Sequence, residues 1–138
     1  MSMNPSAKPM PVVQPWARPF WEAAREGRLA LQHCEDCDKP IHYPRIACPH
    51  CASERLGWRT ASGRGTLYSF TVVVSNAPSS FVADMPYVVA VVELEEGVRM
   101  LSNIVQCEPE DMCCDMPVEI VFEKQNDEFT FPKFRPSR

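Results

Sequence analysis

Long apolar runs are missing from this sequence of 138 residues, and none approaches the ~20 consecutive residues that span a bilayer. Residues 1–15 also lack a basic stretch followed by an apolar core, so they do not read as a secretion signal. Glycine is scarce, at five residues, and neither a Gly-rich phosphate loop nor a GxSxG elbow occurs. Only three histidines are present; His33, His42 and His50 all fall in or beside one cysteine-rich stretch. These gaps remove the usual nucleotide-binding and hydrolase signatures. Positive charge is in deficit as well, with 14 Lys and Arg against 18 Asp and Glu. The balance is +2 over residues 1–62 and −6 over residues 63–138. A boundary near Ser62-Gly63 is therefore visible in charge alone, and the second half is poorly suited to a phosphate backbone.

Proline, cysteine and β-branched residues are what the chain does have. Fourteen prolines imply short elements separated by firm turns. A hydrophobic fraction of 45% is enough for a packed core. Seven cysteines are an odd number, which suits thiolates on a metal in a reducing cytoplasm better than a paired disulfide framework.

The pattern along the chain predicts a mainly β protein in three parts. Residues 1–17 read as a flexible, proline-broken tail. Residues 18–62 hold a short helix at 19–26, with Pro19 in its first turn, Phe20, Trp21 and Ala24 on one face and Gly27 as its stop. Strands at 28–33 and 56–60 flank the cysteines. Residues 63–138 carry β signals at 65–74, 87–94, 98–105, 118–123 and 128–134, with a hairpin turn at Glu95-Glu96-Gly97 and a helical turn near 108–112. Five strands in this span suggest a small barrel such as an OB-fold, although strand count does not separate that from an SH3-like barrel.

Cys34, Cys37, Cys48 and Cys51 form two CxxC pairs separated by ten residues. The two-residue gap lets both sulfurs of a knuckle face one point, and two knuckles complete a tetrahedral Zn2+ shell. A complete shell leaves no position for a reactive water, so the metal is structural. Iron at the same ligands is the alternative. The nearby histidines read as supporting or solvent-facing groups. Cys107, Cys113 and Cys114 lack CxxC partners, and Glu108, Glu110, Asp111 and Asp115 around them oppose thiolate formation, which disfavours catalysis. Glu93, Glu95 and Glu96 lie at the hairpin tip, where charge ordinarily keeps a turn in water.

The order of these pieces is similar to one family. Pro19-Phe20-Trp21-Glu22 and Glu26-Gly27-Arg28-Leu29 precede CxxC, Tyr43-Pro44-Arg45 and CPxC. Gly63-x-Gly65-x-Leu67-Tyr68-Ser69-Phe70-Thr71, Pro86-Tyr87-Val88-Val89-Ala90-Val91-Val92-Glu93-Leu94, Pro117-Val118-Glu119 and Phe134-Arg135-Pro136 follow. Over residues 18–136 the chain resembles the DUF35 family, which implies a rubredoxin-like zinc ribbon followed by a five-stranded OB-fold. The resemblance further implies a small non-catalytic subunit of acyl-CoA metabolism. Such subunits accompany thiolase-like enzymes, lipid-transfer-type aldolases of steroid breakdown, or acyl-CoA hydratases. An acyl-CoA thioester or the partner enzyme would then meet Phe20, Trp21, Arg25, Arg28 and Arg45; the alternative for Phe20 and Trp21 is packing onto the barrel. The family often places glycine after each knuckle, where this chain has Asp38 and Ala52. Alanine tolerates a left-handed backbone less well, so the second knuckle is expected to close differently.

Two competing functions remain. A single-stranded nucleic-acid-binding module would use the OB-fold and ribbon, but Tyr68, Phe70 and Tyr87 have few basic neighbours. An independent enzyme would need a catalytic constellation that the sequence does not offer.

Overall fold

A computed structural model describes residues 8–137 of the chain; residues 1–7 of the expected flexible tail lie outside the described residues. From Lys8 the chain runs without regular structure to a 3-10 turn at Pro15–Ala17, which leads into helix α1, Arg18–Arg25. Phe20, Ala23 and Ala24 are its buried face. Trp21 is half-buried, edge-on to Phe129 with ring centroids 5.4 Å apart. Gly27, at φ 78°, ends the helix in a Schellman closure: its N–H donates to Ala24 C=O and Arg28 N–H donates to Ala23 C=O at 2.9 Å. Because Arg28 is consumed in this cap, the strand expected from residue 28 begins at Ala30.

That strand, β1 (Ala30–Cys34), is the centre of a three-stranded antiparallel sheet between β2 (Pro40–Ile41) and β3 (Leu56–Thr60). Its register with β3 runs from Ala30↔Thr60 to Cys34↔Leu56. Leu29 and Leu31 join Phe20 in the same core as the barrel, so the ribbon and barrel share one apolar interior.

Strands β4 (Arg64–Val73), β5 (Tyr87–Leu94), β6 (Arg99–Ile104), β7 (Pro117–Lys124) and β8 (Thr130–Pro136) close into a barrel of order β4-β5-β6-β8-β7. The fourth strand returns beside the first and the fifth closes parallel to the third, which is the OB Greek key. Alternation in β5 is strict: Val88, Ala90, Val92 and Leu94 point inward. They meet Leu67, Met100, Val118 and Phe134, the last fully buried. Gly65 lets β4 pass against the Glu93 carbonyl, a space that any Cβ would occupy. The strand expected at 128–134 starts later, because the Asn126 side chain accepts the Glu128 and Phe129 N–H groups at 2.8 Å and holds them in a turn.

Closure between β6 and β8 is thin. The ladder consists of one parallel pair, Ile104↔Phe134, with Val105 N–H donating to Phe134 C=O at 2.8 Å. Further along, Pro132 has no N–H to offer β6. There the Ser102 hydroxyl donates to Pro132 C=O at 2.8 Å, and the strands part to leave a seam.

Candidate functional site

Two similar turns bring the four expected cysteines together. In the first, Cys34 N–H donates to Lys39 C=O and Asp38 N–H to Cys34 C=O, both at 3.0 Å. In the second, Cys48 N–H donates to Ser53 C=O at 2.8 Å and Ala52 N–H to Cys48 C=O at 2.9 Å. Asp38 has φ 58° and Ala52 φ 64°. The expectation that Ala52 would make the second knuckle close differently is therefore corrected: the paired backbone bonds hold alanine in the left-handed region.

The sulfurs meet the requirements of a tetrahedral ion. Cys34 and Cys51 Sγ are 3.6 Å apart, as are Cys37 and Cys48 Sγ, and all four lie within 4.8 Å of one another. A tetrahedron with zinc–sulfur bonds of ~2.3 Å has edges of ~3.8 Å. Backbone N–H groups of Cys37 and His50 point at Cys34 and Cys48 Sγ, at 3.5 and 3.3 Å, as thiolate stabilisation demands. The Cys34 thiol is drawn down to about 7, chiefly by the Cys37 N–H, whereas burial and neighbouring sulfurs push Cys37 up to about 12. A dication resolves this competition by replacing the protons. The donor set fits structural zinc, and the closed shell supplies cross-linking only.

Side chains around the centre tie it to the sheet. Buried His33 Nε2 lies 2.7 Å from Asp38 Oδ1, and Arg59 approaches the same oxygen at 3.5 Å. These contacts, the His33 hydrogen bond first, hold the Asp38 carboxyl below the usual carboxylate range. Gln32, also buried, clamps the loop between knuckles: its Nε2 donates to Arg45 C=O at 2.8 Å and its Oε1 accepts Arg45 N–H at 2.7 Å. His50 is exposed. His42 differs from both, since its two ring nitrogens are shielded from solvent and lack hydrogen-bond partners among the described residues. Burial depresses its pKa to about 4.

The loop held by Gln32 forms one wall of an apolar groove of about 420 Å³. Phe20, Trp21 and Trp16 form a second wall, and Leu101, Phe131 and Lys133 from β6 and β8 form the third. It lies over the seam where β6 and β8 part. Tyr43 and Leu101, 53% and 58% exposed, stand at its rim. Of the five residues suggested for acyl-CoA or partner contact, Phe20 and Trp21 line the groove, Phe20 as core with 7% exposure. The three arginines do not line it. Arg28 pairs with Glu26 at 2.8 Å, exposed Arg25 is the last residue of α1, and Arg45 lines a separate cleft with Glu93 and Glu96. Sequence reading missed Gln32, His42 and Tyr43 as organisers of this region, although the Tyr43-Pro44-Arg45 motif marked the loop.

Among the described residues no helix is long and apolar enough to cross a membrane. Family models match the chain twice: the ChsH2 rubredoxin-like zinc ribbon domain over residues 21–57, and the ChsH2 C-terminal OB-fold domain over residues 58–123. A DUF35 domain-containing scaffold protein of Methanothermobacter thermautotrophicus is 40% identical over 102 residues, covering 72% of this chain and 75% of that protein. A probable enoyl-CoA hydratase alpha subunit of Thermomonospora curvata is 40% identical over 119 residues, covering 86% of this chain. The match spans 37% of that subunit's length. The solved structure titled Ltp2-ChsH2(DUF35) aldolase superposes with a TM-score of 0.85 at 37% identity, covering 92% of this chain and 98% of that one. With its ribbon, its OB barrel and these relatives in agreement, the chain belongs to the DUF35 family.

Proposed function

We propose that this protein is a non-catalytic accessory subunit that docks on an enzyme of acyl-CoA metabolism, of the thiolase-like, lipid-transfer-type aldolase or hydratase kind, and helps it hold an acyl-CoA thioester. One observation carries the reading: the agreement with the Ltp2-ChsH2(DUF35) aldolase chain extends over 98% of that chain, so no large element separates the two. The hydratase-subunit and scaffold-protein names of the relatives point the same way.

The surface supports docking. Trp16, Tyr43 and Leu101 keep large apolar area in water around one groove, and clustered exposed hydrophobics of this sort mark interaction sites. In this reading Phe20 and Trp21 supply apolar contact for an acyl or pantetheine chain or a partner side chain. Arg25, Arg28 and Arg45 then serve the CoA phosphates or the partner from outside the groove. The four ribbon cysteines bind Zn2+ and take no part in turnover.

The nucleic-acid alternative is less well supported. Tyr68, a candidate stacking platform, is covered by the Arg99 guanidinium 3.7 Å from its ring centre, and the barrel half carries −6.

Affinity purification of the tagged chain from its native cell tests the proposal. Recovery of an acyl-CoA aldolase, thiolase-like enzyme or hydratase supports it. Recovery with ribosomal or single-strand-binding complexes contradicts it, as does acyl-CoA turnover by the isolated chain.

A further inference from the structure

The segment that leads into the helix lies along the groove without being woven into a sheet. Pro11 and Gln14 line the groove beside Trp16 and Ala17, and Met10, Pro11 and Val13 are half-buried. Yet among the described residues no backbone–backbone hydrogen bond joins residues 8–13 to the ribbon or barrel; the first in this region is Ala17 N–H to Gln14 C=O at 2.9 Å.

The far end is tied down by one side chain. Lys8 Nζ lies 2.5 Å from Asp84 Oδ2 and 5.5 Å from the centre of the Phe81 ring. Both partners belong to the 3-10 turn Ser79–Asp84 between β4 and β5. Phe81 in turn meets Tyr87, with ring centroids 6.0 Å apart. The segment is thus anchored at that connection and runs from there past the groove to α1.

Its sequence suits a movable arm. Pro9, Pro11 and Pro15 each fix φ near −65°, and Gln14, at φ −73° and ψ 147°, is in the polyproline II region. A stiff, extended segment loses little entropy when it lies down. The Lys8 and Asp84 side chains are 39% and 43% exposed, so their ion pair is weak and screened by salt. Together with the cation–π contact it favours the closed position by about 10-fold. That hold is firm enough to seat the arm and weak enough for a binding partner to displace it.

We propose that residues 8–14 are a strap, latched by Lys8 on Asp84 and Phe81, which restricts the groove in the free protein and swings out about Gln14-Pro15 to admit an occupant. A groove of about 420 Å³ admits a few side chains, whereas a stable interface covers about 800 Å² on each partner. A partner seated there must therefore take the ground on which the strap lies. The inference rests on the docking role proposed for the groove and adds its regulation. Groove ligands compete with the chain's own arm, which lowers their apparent affinity by the fraction of molecules held closed.

The test follows strap and groove separately in the full zinc-loaded chain. Backbone amide relaxation at Met10, Val12 and Val13 reports fast motion of the strap, and titration with the apolar dye bis-ANS reports the groove. Lys8→Ala should mobilise those amides and raise dye affinity about fivefold, as closed and open forms come into balance. Asp84→Asn, which removes only the ion pair, should do the same to a smaller extent, and Lys8→Arg, which keeps both latch contacts, should match the parent. Leu101→Lys at the groove rim should abolish the increase, which places the dye in the groove. Unchanged zinc content and thermal midpoint establish that the variants fold. Strap amides as mobile in the parent as in Lys8→Ala would overturn the proposal. So would dye affinity that stays level or falls on release of the latch, or an increase that persists with Leu101→Lys. Dye affinity that rises as expected, while no acyl-CoA enzyme is recovered from the native cell, would uphold the strap and remove the docking reading instead.

Discussion

The Tyr43 hydroxyl accepts the Leu101 N–H at 2.9 Å, so a side chain from the ribbon loop completes the hydrogen bonding of a barrel strand. Leu101 lies on β6 where the ladder to β8 has stopped, and its N–H faces the seam. Replacing Tyr43 by Phe keeps the ring and removes only this acceptor. The loss of one such bond costs about 1 kcal/mol, which for a chain of this size lowers the thermal midpoint by about 3–5 °C. Scanning calorimetry checks it, and amide exchange at Leu101 should accelerate while that of Val92 does not change.

Gln32→Leu tests the loop clamp. It leaves both the N–H and C=O of Arg45 without their partner, at an expected cost of about 2–3 kcal/mol. Chemical denaturation measures the loss. A partner-binding assay should show a further decrease, because the loop between the knuckles shapes the groove.

Metal analysis should find one zinc per chain. A Cys48→Ser variant should bind zinc far more weakly. Removing the ion with a chelator should erase amide protection in β1 and β3 before β5 and β7, since the knuckles and the small cluster of Cys34, Ile41 and Cys48 depend on the cross-link, whereas β5 and β7 are held within the larger shared core. Uniform loss of protection across all strands would contradict this order.

His42 gives the protein an acid-side dependence. Its folded pKa of about 4 lies below the unfolded value of ~6.5. Between those limits the unfolded chain binds the extra proton, so stability contributed by neutral His42 is present above pH ~6.5 and falls as pH drops toward 4. The full difference is about 3 kcal/mol. His42→Phe should flatten the stability profile in that window relative to the parent, as read by denaturation at pH 7.0 and 4.5 with zinc content monitored alongside.

What was legible in the sequence follows the range of the interactions responsible. The two CxxC pairs announce their knuckles because four ligands need only local turns. Strand β5 matches its expected bounds, since strict alternation from Tyr87 to Leu94 leaves little freedom of register. Strand β2 was not foreseen, for two residues carry no periodicity. The 3-10 turn Ser79–Asp84 was missed for a related reason: it lies in an irregular connection without a repeating apolar face. Gln32 reads as a polar position of an alternating strand, and only the returning backbone of Arg45 reveals why it is buried. The groove was invisible because it arises from the failure of β6 and β8 to pair, which Pro132 enforces at a distance of about thirty residues from Ser102. The arginines were grouped by their half of the chain, and the fold scatters them.

The lone Ile104↔Phe134 pair makes the barrel's last joint a dependent one, braced from outside by Tyr43. Tyr43 stands on a segment that Gln32 and the Cys48 knuckle immobilise. Ion binding at the ribbon and occupancy of the groove by the proposed partner would then be thermodynamically linked, and such a linkage is reciprocal: whatever tightens one tightens the other by the same factor. A chemically silent metal would in this way set how firmly the proposed partner is held.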